Sequence, residues 1–84
     1  MKQTDTQIVE KLQQIVLPYL THKKDIAFND NLKSDLGFDS IDMVDIVIMI
    51  EDTFSIKFQD SEWNTFNTVT DLVQLIAIKI NGAY

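Results

Sequence analysis

Few side chains in this sequence are of a type and in a setting that could do chemistry, and the pair Asp39-Ser40 is the foremost of them. A serine that opens a helix holds its hydroxyl among unpaired backbone amides at the positive end of the helix dipole, where a phosphate is stabilised. Taken alone, an aspartate and a serine at a helix start are an ordinary cap. The residues that follow change that weighing. Ile41, Val44 and Ile48 are interleaved with Asp42, Asp45, Glu51 and Asp52, and no basic residue occurs between Lys33 and Lys57. Below the helix-start serine, where a phosphate could be held, lies an apolar and acidic surface suited to docking proteins with basic patches.

The other chemistries fail one by one. His22 is the single histidine and lies in a polar stretch beside Lys23 and Lys24, so no nucleophile has a positioned base. Ser40 stands in Gly37-Phe38-Asp39-Ser40-Ile41, which is not a G-x-S-x-G elbow. No catalytic residue is therefore expected, and the chain reads as a non-enzyme. The acid-rich run from Asp30 to Ile41 has the look of a calcium loop but the wrong register. Counted from Asp30, it puts Asp35 where glycine is required and Ile41 where the bidentate glutamate belongs. Zero cysteine removes disulfides, thiolate metal sites and cysteine nucleophiles together, and no metal site is expected. Thirteen acids against seven lysines, a formal charge of −6, exclude nucleic acid as a partner, because phosphate binding rests on cationic side chains.

The elements that must position Ser40 follow from periodicity. One proline, two glycines and no repeat give a single domain over residues 1–84. Ile8, Leu12, Ile15, Val16 and Tyr19 form one helical face, with Thr4 and Gln7 at capping-box spacing and Pro18 ending or kinking the helix near Leu17. The stretch from Thr21 to Phe38 reads as a packed loop anchored by Ile26, Phe28, Leu32 and Leu36, with Gly37 closing it. A second helix runs from about Ser40 to Ser55 with Asp39 as N-cap. With Met43 set at 0°, Ile46, Val47, Ile50 and Phe54 fall within about 60° of it, whereas Ile41, Val44 and Ile48 lie at about 160°, 100° and 140°, on the outer side. Asp60 is expected to cap a short helical turn through Trp63 and Phe66. A last helix opens at Thr68, buries Val69, Leu72, Val73, Ile76 and Ile80, and stops at Gly82. The fold class is all-α, a small antiparallel bundle of three main helices and one short one. The longest apolar run, Ile46 to Ile50, is too short to span a bilayer, and Met1 to Gln7 lacks the apolar core of a secretory signal. A cytoplasmic monomer without stable membrane insertion is expected.

The string Asp35-Leu36-Gly37-Phe38-Asp39-Ser40-Ile41-Asp42-Met43-Val44-Asp45-Ile46-Val47 resembles the acyl carrier protein family around its L-G-x-D-S-L-x-x-V-E-L pattern. The likeness extends through Glu51-Asp52-x-Phe54, Asp60 and Thr68-Val69, nearly the whole chain. It implies that Ser40 carries 4'-phosphopantetheine, delivered from coenzyme A by a phosphopantetheinyl transferase. It further implies that Asp39, Ile41, Asp42, Val44, Asp45, Ile48, Glu51 and Asp52 face partner enzymes. Those partners would be acyl-transferring and chain-elongating enzymes with basic docking patches, in fatty-acid, polyketide or related biosynthesis. Ile41 stands where the family has leucine, and Lys57 and Trp63 fall in a segment that is ordinarily more acidic. These departures leave the serine in place and bear on which pathway is served.

Two other readings compete at the level of sequence. One is a carrier for an aminoacyl group, D-alanyl or peptidyl. The other, from a different class, is an unmodified acidic module that docks a basic partner and carries nothing; covalent modification of Ser40 separates it from both carriers.

Overall fold

Three helices begin with the same device, a side chain three residues into the helix exchanging hydrogen bonds with the cap. Thr4 Oγ1 accepts from Gln7 N (3.2 Å) while Gln7 Oε1 accepts from Thr4 N (2.9 Å). Asp39 and Asp42 repeat the exchange at 2.8 and 3.3 Å, and Thr68 and Asp71 at 3.2 and 3.2 Å. Each box satisfies two of the amides a helix start leaves orphaned, worth about 1 kcal/mol by analogy with single caps. The computed structural model describes residues 4–20, 25–62 and 65–81, and there the boxes open α1 (Asp5–Val16), α2 (Ser40–Phe54) and α3 (Val69–Asn81). With two single turns of 3-10 helix, Leu17–Tyr19 and Asp60–Glu62, and one isolated antiparallel bridge between Asn31 and Thr68, these are all the regular structure among the described residues. The architecture is the all-α bundle expected.

Helix α1 packs against both α2 and α3. The shared core holds Ile8, Leu12 and Val16 of α1, Ile46, Val47, Ile50 and Phe54 of α2, and Val69, Leu72, Val73 and Ile76 of α3. Met43, Ile15, Tyr19 and Ile80 pack at its margin, partly buried. Pro18 acts as expected on α1: the α-helix stops at Val16 and one 3-10 turn carries the proline.

The link into α2 is a packed segment rather than a free loop, because its polar backbone is tied at both sides. Gln13 of α1 reaches it twice, donating to Asp25 Oδ1 (3.2 Å) and accepting from Ile26 N (3.4 Å). The start of α3 holds the rest. Thr70 N and Oγ1 donate to the Phe28 carbonyl at 2.8 and 2.6 Å, Val69 N to the Asp30 carbonyl at 3.0 Å, and Leu32 N to the Asn67 carbonyl at 2.8 Å. Ile26, Leu32, Leu36 and Phe38 are buried beneath this ladder.

Two expectations are corrected. Phe28 was expected to anchor the loop through its ring, yet the side chain is 44% exposed. The anchor is its carbonyl, and hydropathy says nothing of a carbonyl. Of the short helix expected from Asp60 through Trp63 and Phe66, the described residues show one turn, Asp60–Glu62. Its tie is Glu62 Oε1 accepting from Gln59 N (2.7 Å), one residue before the cap foreseen at Asp60, and Phe66 is buried outside the turn. Phe66 and Phe58 face each other at 6.1 Å, and Lys79 closes the corner by pairing with Glu62 (2.9 Å) over the Phe58 ring. His22, Trp63 and the stop at Gly82 lie outside the described residues.

The caps give the bundle an acid-sensitive side. Backbone amides of Asn67 and Thr68 hold the Asp71 carboxyl below its ordinary value, and the Gln59 amide, with Lys79, does the same for Glu62. A carboxyl depressed in the folded state contributes stability above its unfolded pKa and loses that contribution as pH falls through its folded value. Melting temperature should therefore drop on acidification below about pH 4. Asp71→Asn should melt lower than the parent at pH 7 and lose less between pH 5 and pH 3. An unchanged acid slope in that variant would remove Asp71 from the account.

Candidate functional site

The chain reaches Ser40 through a turn built from its own side chains. Asn31 Oδ1 accepts from the amides of Lys33 and Ser34, both at 2.9 Å, and Asp35 Oδ2 accepts from Asn31 N at 2.7 Å. Gly37 then adopts φ 76°, a left-handed conformation in which a side chain is penalised, and its amide donates to the Lys33 carbonyl (3.1 Å). Phe38 follows with its ring only 2% exposed and its amide on the Leu32 carbonyl (3.0 Å). The buried ring pins the backbone, the glycine lets it reverse, and Asp39 caps what comes next. Ser40 is thus the first residue of α2, exposed to solvent.

At that position the amide of Asp42 goes to the Asp39 carboxylate and that of Met43 to the Asp39 carbonyl. The amides of Ser40 and Ile41 remain as helix-start donors that no described residue takes up. The carboxylates of Asp39 and Asp42, the acids that flank Ser40 in the chain, are both engaged in the cap. Among the described residues no group of three metal-ligating side chains comes together. The acids of the 30–41 run serve the backbone instead. Asp30, only 7% exposed, accepts from Ala27 N (2.8 Å), and Asp35 closes the turn already described.

Along the outer side of α2 the helical phase read from sequence holds. Ile41, Val44 and Ile48 are 74%, 43% and 53% exposed on a helix whose opposite side buries Ile46, Val47, Ile50 and Phe54. The eight residues expected to face partners separate into two groups. Ile41, Val44, Asp45, Ile48 and Asp52 are exposed, and no described group binds Asp45 or Asp52. Asp39, Asp42 and Glu51 each have a structural task as well: the first two form the cap, and Glu51, half-buried, accepts from Phe58 N at 2.9 Å through Oε2. The sequence reading missed Gln13, Asp30, Thr70 and Lys79 as positioning residues. Of these only Asp30 carried a local signal, an acid three residues after the amide it binds, a spacing typical of a turn.

A family model described as "Phosphopantetheine attachment site" matches residues 10–76. The chain belongs to the acyl carrier protein family. It is 36% identical to an acyl carrier protein of Phytoplasma mali over 82% of this chain and 83% of that one. It is 34% identical to an acyl carrier protein of Cyanidium caldarium over 94% and 93% respectively. A crystal structure of an acyl carrier protein from Thermotoga maritima superposes with a TM-score of 0.78 at 28% identity, covering 95% of this chain and 94% of that one. The chain is a carrier and not a catalyst, and its prosthetic group is phosphopantetheine. No described helix is long and apolar enough to cross a membrane.

The two sides of α2 make opposite predictions for one kind of substitution. Ile46→Ala, at a fully buried position, should cost about 2–5 kcal/mol, while Ile48→Ala should stay within about 0.5 kcal/mol of the parent. Denaturant unfolding of the two variants checks this, and equal losses would place the outer side in the core.

Proposed function

We propose that Ser40 is the residue that bears 4'-phosphopantetheine and that the 84-residue chain acts as a single carrier domain in the cytoplasm. The observation that carries the assignment is the exposed Ser40 at the first position of α2, beside two helix-start amides with no acceptor among the described residues. Those amides and the helix dipole favour a phosphodiester there, and solvent screens it from the carboxylates of Asp39 and Asp42. The other described serines lack this setting. Ser34 lies inside the Asn31 turn, Ser55 is the left-handed residue that ends α2, and Ser61 sits in a single 3-10 turn. When bound, the group supplies a thiol that holds acyl cargo as a thioester. The chain contributes the rigid attachment point and the surface that partners grip.

A phosphopantetheinyl transferase is the first such partner on this reading. Acyl-transferring and chain-elongating enzymes of fatty-acid, polyketide or related biosynthesis follow it. Their basic patches meet Asp45 and Asp52, and their apolar residues meet Ile41, Val44 and Ile48.

The absence of cysteine makes the test direct. Incubation with a transferase and coenzyme A should create about one reactive thiol per chain where the unmodified protein has none. Ser40→Ala should remain without a thiol while melting close to the parent; a thiol in that variant would overturn the assignment.

Docking divides into steering and holding. Charges at a rim act on encounter and are screened by salt, whereas apolar contacts govern escape. Asp45→Lys should slow association with the transferase and flatten its salt dependence, and Val44→Ala should chiefly speed dissociation. Stopped-flow binding at two ionic strengths reads both; an unaltered association rate in Asp45→Lys would move the steering surface elsewhere.

A further inference from the structure

The outer surface of α2 does not end as it begins. At Ser55 the backbone turns left-handed (φ 57°), and the turn is built around one residue: the Glu51 carbonyl accepts from the amides of Ser55 and Ile56, and the Glu51 carboxylate accepts from Phe58 N. The chain is thereby folded back beside the last turns of the helix. Between them lies a solvent-open groove of ≈ 430 Å³, lined by Ile48, Met49, Glu51, Asp52, Ser55, Ile56 and Lys57. Its apolar surface is chiefly the exposed Ile48 and the partly buried Met49, with the buried Ile56 forming its floor, and its free charges are of opposite sign. Asp52 and Lys57 are both exposed and neither pairs with a described residue, while Glu51 is held by the backbone. Asp45, farther up the helix, is the other unengaged acid of this side.

Charge complementarity therefore asks different things of a partner at the two ends of α2. Near Ser40 only basic residues are favoured. At the groove a wholly basic patch would set one of its cations against Lys57, with like charges repelling by about as much as an exposed pair attracts. We propose that this groove is the far end of the docking face, continuous with it through Ile48 and Asp52, and that it takes an apolar side chain of a partner enzyme flanked by a basic residue toward Asp52 and an acidic residue toward Lys57. Lys57 is then a specificity residue that turns away partners whose docking patch is wholly basic. The proposal rests on the carrier reading for the identity of the partner as an enzyme that visits Ser40.

The test uses the phosphopantetheine-modified protein and two synthetic amphipathic helical peptides. Both carry leucine with lysine one turn before it; one has glutamate one turn after it and the other glutamine. Binding is followed by methyl NMR at Ile48, Met49 and Ile56. The protein's charge of −6 disfavours the glutamate peptide in general, so tighter binding of that peptide reports a local cation. The parent should bind it about threefold more tightly, an effect the size of one exposed ion pair. Lys57→Gln should remove or invert that preference, and Lys33→Gln, which changes net charge equally outside the groove, should retain it. The same preference in Lys57→Gln as in the parent would overturn the proposal, as would methyl shifts confined to other residues or no binding of either peptide at millimolar concentration. Intact mass before titration separates the two claims. A chain that refuses modification contradicts the carrier reading, whereas a modified chain with an unmoved preference contradicts the groove alone.

Discussion

The cap that Asp39 and Asp42 make between them is the interaction on which this molecule's architecture and chemistry both depend. It fixes where α2 begins and so decides that Ser40, and not a neighbour, is the first helical residue. It takes up the amide of Asp42 and leaves those of Ser40 and Ile41 without an acceptor among the described residues. The cap is held in place from below, since Phe38 is buried and Gly37 supplies the reversal that a residue with a side chain would resist. Behind these stand the hydrogen bonds from Gln13 and from the start of α3, which make a long polar link behave as part of the bundle.

A strongly acidic chain invites the picture of one undivided charged surface, but the carboxylates have separate tasks. Asp30, Asp35, Asp39, Asp42, Glu51, Glu62 and Asp71 each accept from at least one backbone amide, at turns, helix starts or the end of α2. These bonds satisfy donors that a small bundle with long connections would otherwise leave exposed or unpaired. What remains free on the outer side of α2 is sparse: Asp45, Asp52 and the opposing Lys57. Free charges so few and so definitely placed contribute little to folding, so exchanging one should leave the stability of the chain nearly unchanged.

Most of the helical framework was legible in the sequence, for a physical reason. The phase of α2 followed from side-chain periodicity, and its exposed and buried sides emerged as the angles of Ile48 and Ile46 require. The caps were legible at Thr4, Gln7 and Asp39, because capping is a local matter of residue type and spacing. What could not be read depended on backbone groups meeting across the fold. The Phe28 carbonyl beside Thr70, and Glu51 turning inward to Phe58 N, have no signature in hydropathy or charge. Thus Phe28, which hydropathy marks as an anchor of the loop, is half-exposed, and Glu51, expected to face partners, has a backbone bond to keep as well.

The central claim is that this fold exists to present one modified serine. Mass spectrometry of the protein isolated from its native cell, intact and after digestion, tests it most directly, because it reports the group, its cargo and its position in one experiment. The account predicts a chain bearing a single phosphopantetheine, free or acylated, on the peptide that contains Ser40. A chain left unmodified in cells whose other carriers are loaded, or a group found on Ser34, Ser55 or Ser61, would contradict it.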